Sequence, residues 1–191
     1  MMKLKEATAQ QHEALESTVN VMDSVFSMDD YRILIQKFYS FYSAIEPKLA
    51  EMDWGSVSYN FDERLKTPKL KRDLENLGLD TAEIPICENL PQIDTFQQAL
   101  GALYVLEGAT LGGQVIKRHL RSSLDLDESN GGDFFAGYGE LTGPRWKEFS
   151  SFASEYVEKN GGDEEVIEAA KSTFDSFKNC FETTTISAAG A

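Results

Sequence analysis

Three features of the sequence predict an all-α, single-domain protein with six or more helices of unequal length. The apolar residues recur almost everywhere with the 3.6-residue period of a helix buried on one face. No segment shows the strict alternation of a half-buried strand. Residues that start and stop helices stand where that period begins and ends. A length of 191 residues suits one domain, and 41% hydrophobic residues with 11% aromatics can fill its core. We assign a helical body to residues 1–182 and a small polar tail to 183–191.

The elements follow in order. The opening segment carries a helical stripe discussed below. In the next, Tyr31, Leu34, Ile35, Phe38, Tyr42, Ile45 and Leu49 form one buried face, Ser27 and Asp30 form a capping box, and Pro47 is expected to kink or end the helix. A short helix should begin with Thr67 as cap and Pro68 in its first turn, and stop at Gly78. Residues 79–93 contain two prolines and read as a connection. Asp94 can then cap a long helix to about Leu120, followed by a Gly- and Asp-rich loop over 125–140. Thr142 or Gly143 with Pro144 opens another helix that ends at Asn160-Gly161-Gly162. Asp163 caps the last, whose apolar face is Val166, Ile167, Ala170, Phe174, Phe177 and Phe181.

Composition narrows the function. The formal charge of −14 argues against general nucleic-acid or anionic-membrane binding. Two cysteines, Cys87 and Cys180, are too few for a disulfide framework and fit a reducing cytosol. Two histidines, His12 and His119, rule out a His-rich metal site. The first residues have no apolar core of signal-peptide length, and no apolar run reaches about 18 residues, so a cytoplasmic protein is expected.

The long helix contains Gly101, Gly108, Gly112 and Gly113, each costing roughly 0.5–1 kcal/mol relative to Ala. The adjacent pair invites a kink. Gly108 and Gly112 share a face, so either a second helix or a flat ligand can lie directly on the backbone there. In the first segment, Lys5, His12 and Glu16 stand at i, i+7 and i+11, within roughly 40° of one stripe. His12 and Glu16 can interact directly, and a metal-bound histidine usually donates its other N–H to a carboxylate or carbonyl. Alternatively, His12 is a surface histidine beside a helical Glu. Lys117, Arg118 and His119 read as cations favouring the negative end of a helix.

These residues carry a resemblance to heme oxygenases. The run Leu4-Lys5-Glu6-Ala7-Thr8 with His12 and Glu16 resembles the family's proximal motif. Gly108-Ala109-Thr110-Leu111-Gly112-Gly113-Gln114-Val115 resembles its kinked distal helix, and VIEAAKSTF at 166–174 its final helix, whose Phe lines the heme pocket. The likeness spans roughly residues 3–182 and is nearest to bacterial members. It implies heme held between the first helix and the glycine helix, with His12 as axial ligand. Lys5 is then among the groups that pair with the propionates, and Glu16 and Phe174 belong to the binding site. It also implies oxidation of heme to biliverdin with release of CO and iron, using O2 and an external ferredoxin-, flavodoxin- or reductase-type electron donor. The distal face is then Gly108, Gly112 and Gly113, whose missing side chains let the backbone press on the porphyrin and bend bound O2 towards a meso carbon.

The sequence also departs from the family. Ala109 stands where many members have a water-organising aspartate, with Glu107 and Gln114 as stand-ins. A propionate-contacting tyrosine maps to Leu103, next to Tyr104. The C-terminal basic pair has Arg145 and Lys147 as its nearest candidates. A heme carrier of the same fold without efficient turnover is the main alternative, and a helical interaction module without cofactor the second. Arg64, Lys66, Lys69, Lys71 and Arg72 form one basic run, and Lys117, Arg118 and Arg121 another. Either can dock an acidic donor or be a solvated helix face.

Overall fold

A computed structural model describes residues 2–25 and 27–186, the side chain of Met2 excepted. The end of the polar tail, residues 187–191, lies outside the described residues. Among the described residues there is no strand. The α-helices are α1 (Met2–Ala7), α2 (Ala9–Val19), α3 (Val21–Ser24), α4 (Met28–Ala50), α5 (Thr67–Asn76), α6 (Phe96–Leu124), α7 (Asp133–Ala136), α8 (Thr142–Asn160) and α9 (Asp163–Thr183).

The core forms around α4, α6 and α9. Every residue of the expected apolar face of α4 is buried. Phe38, Phe41 and Tyr42 interlock with Phe134, Phe135, Phe177 and Phe181, and the Phe41 and Phe177 rings stack at 4.0 Å. Helix α6 is long and apolar enough to span a membrane, but most of that stretch is buried inside the protein.

Tertiary contacts shift several helix ends from where local signals put them. The capping box of Ser27 and Asp30 starts α4 as expected, but Pro47 does not end it, and the helix runs on to Ala50. Proline's fixed φ is helical, and only one backbone bond is lost near the terminus. That last turn is held by Trp54, whose indole N–H donates to the Leu49 carbonyl at 2.7 Å. Just before that turn stands Glu46, whose carboxylate accepts the Lys66 and Thr67 backbone N–H groups at 2.6 and 3.0 Å. Glu46 therefore caps α5 from another helix, and Thr67 falls inside α5 instead of capping it. Similarly, Thr95 and not Asp94 caps α6, which extends past Leu120 to Leu124. Gly162 precedes α9, placing Asp163 with Glu164 and Glu165 in the first turn, where acidic groups oppose the helix dipole. The expected loop over 125–140 contains the short helix α7.

The four glycines of α6 serve different contacts. A Cβ on Gly101 would lie 2.5 Å from the Val166 carbonyl oxygen and 2.7 Å from the Ala169 Cβ. The close helix approach therefore occurs at Gly101, where α6 crosses α9. A Cβ on Gly113 would come within 3.2 Å of the Phe135 carbonyl oxygen. Cys87 and Cys180, expected as free thiols, are joined as a disulfide with Cα atoms 5.8 Å apart. His119 is not in the last turn of α6: its Nε2 lies 3.0 Å from the Val25 carbonyl oxygen and ties α6 to the end of α3.

Candidate functional site

The proximal residues stand on α1 and α2, which join through Thr8. Its backbone N–H donates to the Leu4 carbonyl and its own carbonyl accepts from the His12 N–H, so the hydrogen-bond ladder runs through the joint. Leu4, Thr8 and Leu15 turn inward. Lys5, His12 and Glu16 turn outward, and Lys5 makes no ion pair among the described residues. His12 Nδ1 lies 3.4 Å from Glu16 Oε2, and the His12 side chain is 55% exposed. With Nδ1 facing the carboxylate, Nε2 has no protein partner among the described residues. Buried Phe174 meets the imidazole edge-on at 5.6 Å and fixes its orientation from below.

On α6, Gly108, Leu111, Gly112 and Val115 fall at i, i+3, i+4 and i+7 and so share one face. A Cβ on Gly112 would meet nothing within 4 Å, and one on Gly108 would meet only the Trp146 ring, at 3.8 Å. Leu111 and Val115 stay exposed, as does Met22 on α3, beside α6. This is an apolar strip with a bare backbone at its centre. Ala109 is also exposed. Tyr104, one turn before Gly108, packs on Trp146 at 5.6 Å. Burial raises its phenol pKa, and the Thr8 hydroxyl beside it offsets part of that rise. Tyr104 thus reaches Thr8, one turn before His12, and joins the glycine helix to the histidine helix.

A buried charge cluster underlies the distal helix. Glu107, fully buried, accepts from Arg64 Nη1 at 3.1 Å, from the Tyr138 hydroxyl at 2.7 Å and from the Lys66 ammonium. Lys66 also donates to the Arg64 carbonyl at 2.7 Å, and Arg64 Nη2 pairs with Glu148 at 2.9 Å. Desolvation lowers the Lys66 pKa against the opposing pull of Glu107, and desolvation beside Glu107 raises that of Tyr138. In the sequence alone, Glu107 reads only as a stand-in for a missing aspartate. The signal for more was a lone carboxylate on the apolar face of a helix, at YVLEG, where burial demands partners.

The other expected groups differ in availability. Arg145 is held by Glu63 at 2.5 Å and Glu148 at 3.3 Å, while Lys147 is exposed without an ion pair among the described residues. Gln114 donates to the Ala136 carbonyl at 3.0 Å and pins the α7 loop onto α6. Of the first basic run, Arg64 and Lys66 are buried, and Lys69 and Arg72 are paired with Asp133.

The chain belongs to the heme oxygenase family, whose model, described as Heme oxygenase, matches residues 1–183. It is thus a member of a family of heme-degrading enzymes. It is similar to a protein named heme oxygenase from Xanthomonas campestris pv. campestris, at 26% identity over 156 residues, covering 80% of this chain and 88% of the relative. The protein named heme oxygenase PigA from Pseudomonas aeruginosa is also 26% identical, over 176 residues, covering 92% and 86%. The crystal structure of the NO- and CO-bound heme oxygenase from Neisseria meningitidis shares the fold with a TM-score of 0.78 at 20% identity, covering 95% of this chain and 89% of that one.

Proposed function

We propose that this chain binds heme between α2 and the glycine face of α6, with His12 Nε2 as the axial ligand. It then converts heme, as substrate, to biliverdin, CO and ferrous iron. The observation that carries the reading is His12 itself: solvent-facing, with Glu16 at Nδ1 and Nε2 unpartnered. The residues fit the group. A flat macrocycle needs an apolar surface without side chains at its centre, and Leu111, Gly112 and Val115 supply one. When bound, heme supplies the iron that activates O2 and the porphyrin that is oxidised.

The chain supplies placement. Glu16, with its carboxylate 3.4 Å from Nδ1, favours the tautomer protonated there, so that Nε2 keeps its lone pair. Phe174 restricts the ring's rotation. With no Cβ at Gly112 to meet it, a flat group can lie directly against the α6 backbone there. Lys5 and Lys147, exposed and free of ion pairs among the described residues, are the cations available to propionates; Arg145 must first give up Glu63 or Glu148. Electrons come from a ferredoxin-, flavodoxin- or reductase-type donor in the cytoplasm. Ala109, exposed where an aspartate organises water in many members, favours a second reading, a heme carrier that turns over poorly.

Hemin titration followed by aerobic reduction tests both readings. We expect a single-site Soret complex in wild type, then loss of the Soret band with biliverdin and CO appearing. His12→Ala should weaken binding and change the spectrum, with added imidazole restoring it. A complex that persists through reduction in air supports the carrier. A His12→Ala spectrum identical to wild type overturns the ligand.

A further inference from the structure

Cys87 and Cys180 stand outside the heme site, and they are the only two cysteines of the chain. Cys87 lies half-buried in the irregular connection between α5 and α6, while Cys180 is buried near the end of α9. Their Cα atoms are 5.8 Å apart, within the span that a disulfide bridges without moving the backbone. Two hydroxyls flank the pair. Ser40 Oγ lies 3.4 Å from Cys87 Sγ and 3.8 Å from Cys180 Sγ. Thr184 Oγ1 lies 3.6 Å from Cys180 Sγ and 4.0 Å from Cys87 Sγ.

We propose that Cys87 and Cys180 form a reversible redox site, which when oxidised locks the 79–93 connection onto α9 and when reduced releases it to hydrogen bonds alone. Two features make the site fit both states. Each thiol, once formed, finds a hydroxyl already in place as a hydrogen-bond partner, so reduction leaves no unsatisfied polar group. The connection also keeps other attachments. The Cys87 N–H donates to the Ser40 carbonyl at 3.2 Å, Ser40 Oγ to the Pro85 carbonyl at 2.5 Å, and Ser176 Oγ to the Asn89 carbonyl at 2.9 Å. Reduction therefore loosens the segment without detaching it. Half-buried where Cys180 is buried, Cys87 is the more accessible of the two to an incoming thiolate.

The chemistry balances with hydrogen peroxide as oxidant and a dithiol as reductant. The Cys87 thiolate attacks peroxide, the O–O bond breaks, and a sulfenic acid forms with release of water. The Cys180 thiol then attacks that sulfur and expels the second oxygen as water, so two electrons pass from the sulfurs to peroxide. Opening runs by thiolate attack on Cys87 Sγ, with the reductant left as a disulfide. An O2-reducing enzyme leaks peroxide, which, on the proposed function, puts the oxidant at hand; the thiol pair itself does not depend on that function. The same α9 carries Phe174, whose ring orients His12, so locking α9 also stiffens the proximal wall.

The test uses the full-length protein, first without hemin. Reduced protein should show two titratable thiols and oxidised protein none, with a mass lower by about 2 Da and a peptide linking residues 87 and 180. A dithiol should restore both thiols without denaturant. The oxidised form should melt higher, and Cys87→Ser and Cys180→Ser should each make the midpoint insensitive to redox state. Thiols that survive peroxide overturn the site, and a bond that opens only in denaturant makes it a permanent staple. A second arm follows hemin transfer to apomyoglobin. Release should be several-fold slower from the oxidised form, and equal rates overturn the coupling to α9. Failure to bind hemin at all overturns the proposed function and leaves the thiol result standing.

Discussion

Gly101 and Gly112 are the same residue type on one helix, yet opposite responses to substitution are expected. At Gly101 even a methyl group collides with the Val166 carbonyl oxygen, a backbone atom that cannot turn aside. Overpacking of this kind costs about 1–3 kcal/mol, against about 1 kcal/mol that Ala gains in helix propensity. Gly101→Ala is therefore expected to be less stable in urea, and Gly101→Val more so. At Gly112 a side chain enters open space, so Gly112→Leu should unfold at or above the wild-type midpoint. It should also bind hemin at least tenfold more weakly, measured by Soret titration. A Gly112→Leu protein with unchanged affinity would place heme elsewhere. The sequence held the spacing of these glycines but not their division of labour. Which one meets a backbone depends on where α9 crosses, and crossing geometry is not written in either helix. The pairing of His12 with Glu16 was legible because i and i+4 neighbours meet on any helix.

Capping from a distance separates the elements legible in sequence from those that were not. Ser27 with Asp30 was found because both partners are local. Glu46 caps α5 from twenty residues upstream, and Asp73 of α5 in turn accepts the Asp133 and Phe134 N–H groups at 2.9 and 2.7 Å, starting α7. Burial pushes the Asp73 carboxyl up to about 6, against the pull of those two N–H groups. A carboxyl whose folded pKa exceeds its unfolded one, near 3.8, takes up a proton on folding. Its contribution is fully present below the unfolded value and is lost as pH rises through 6, a change of about 3 kcal/mol for two pKa units. Between pH 4 and 7, urea unfolding of wild type should therefore lose stability relative to Asp73→Asn, even though the variant starts lower. The Glu107 cluster predicts a larger effect. Glu107→Leu strands Arg64 and Lys66, both buried, and breaking such a pair costs about 3–5 kcal/mol. Glu107→Gln should cost less because it still accepts from one cation. Unfolding midpoints of the two variants settle the order.

The net charge of −14 pervades the molecule, and the fold decides which cations remain to act against it. The run from Arg64 to Arg72 looked in sequence like a basic face. Folding turns Arg64 and Lys66 inward to Glu107 and ties Lys69 and Arg72 to Asp133, because a buried carboxylate must recruit the nearest cations. Proximity along the chain could not reveal that, since Glu107 and Asp133 lie far away in sequence. In the second cluster, Lys117 is tied to Glu128, and Arg121 to Asp125 and Asp127. Arg118 makes no ion pair among the described residues, reaches only the Gln114 carbonyl, and is exposed one turn beyond Val115 on the apolar strip. An acidic electron donor approaching the end of α6 would thus meet an overall repulsive protein, with Arg118 as an exposed cation left unpaired there among the described residues. Arg118→Glu should slow donor-driven reduction of the hemin complex several-fold at low salt, in stopped flow at fixed donor concentration. Lys71→Glu, on the run whose other members are buried or paired, should slow the rate less. The difference should shrink as salt shortens the Debye length from about 10 Å at 0.1 M to about 3 Å at 1 M. Equal slowing by both reversals would mean that the donor senses the whole-protein field and not a rim contact, and would move its docking surface away from the end of α6.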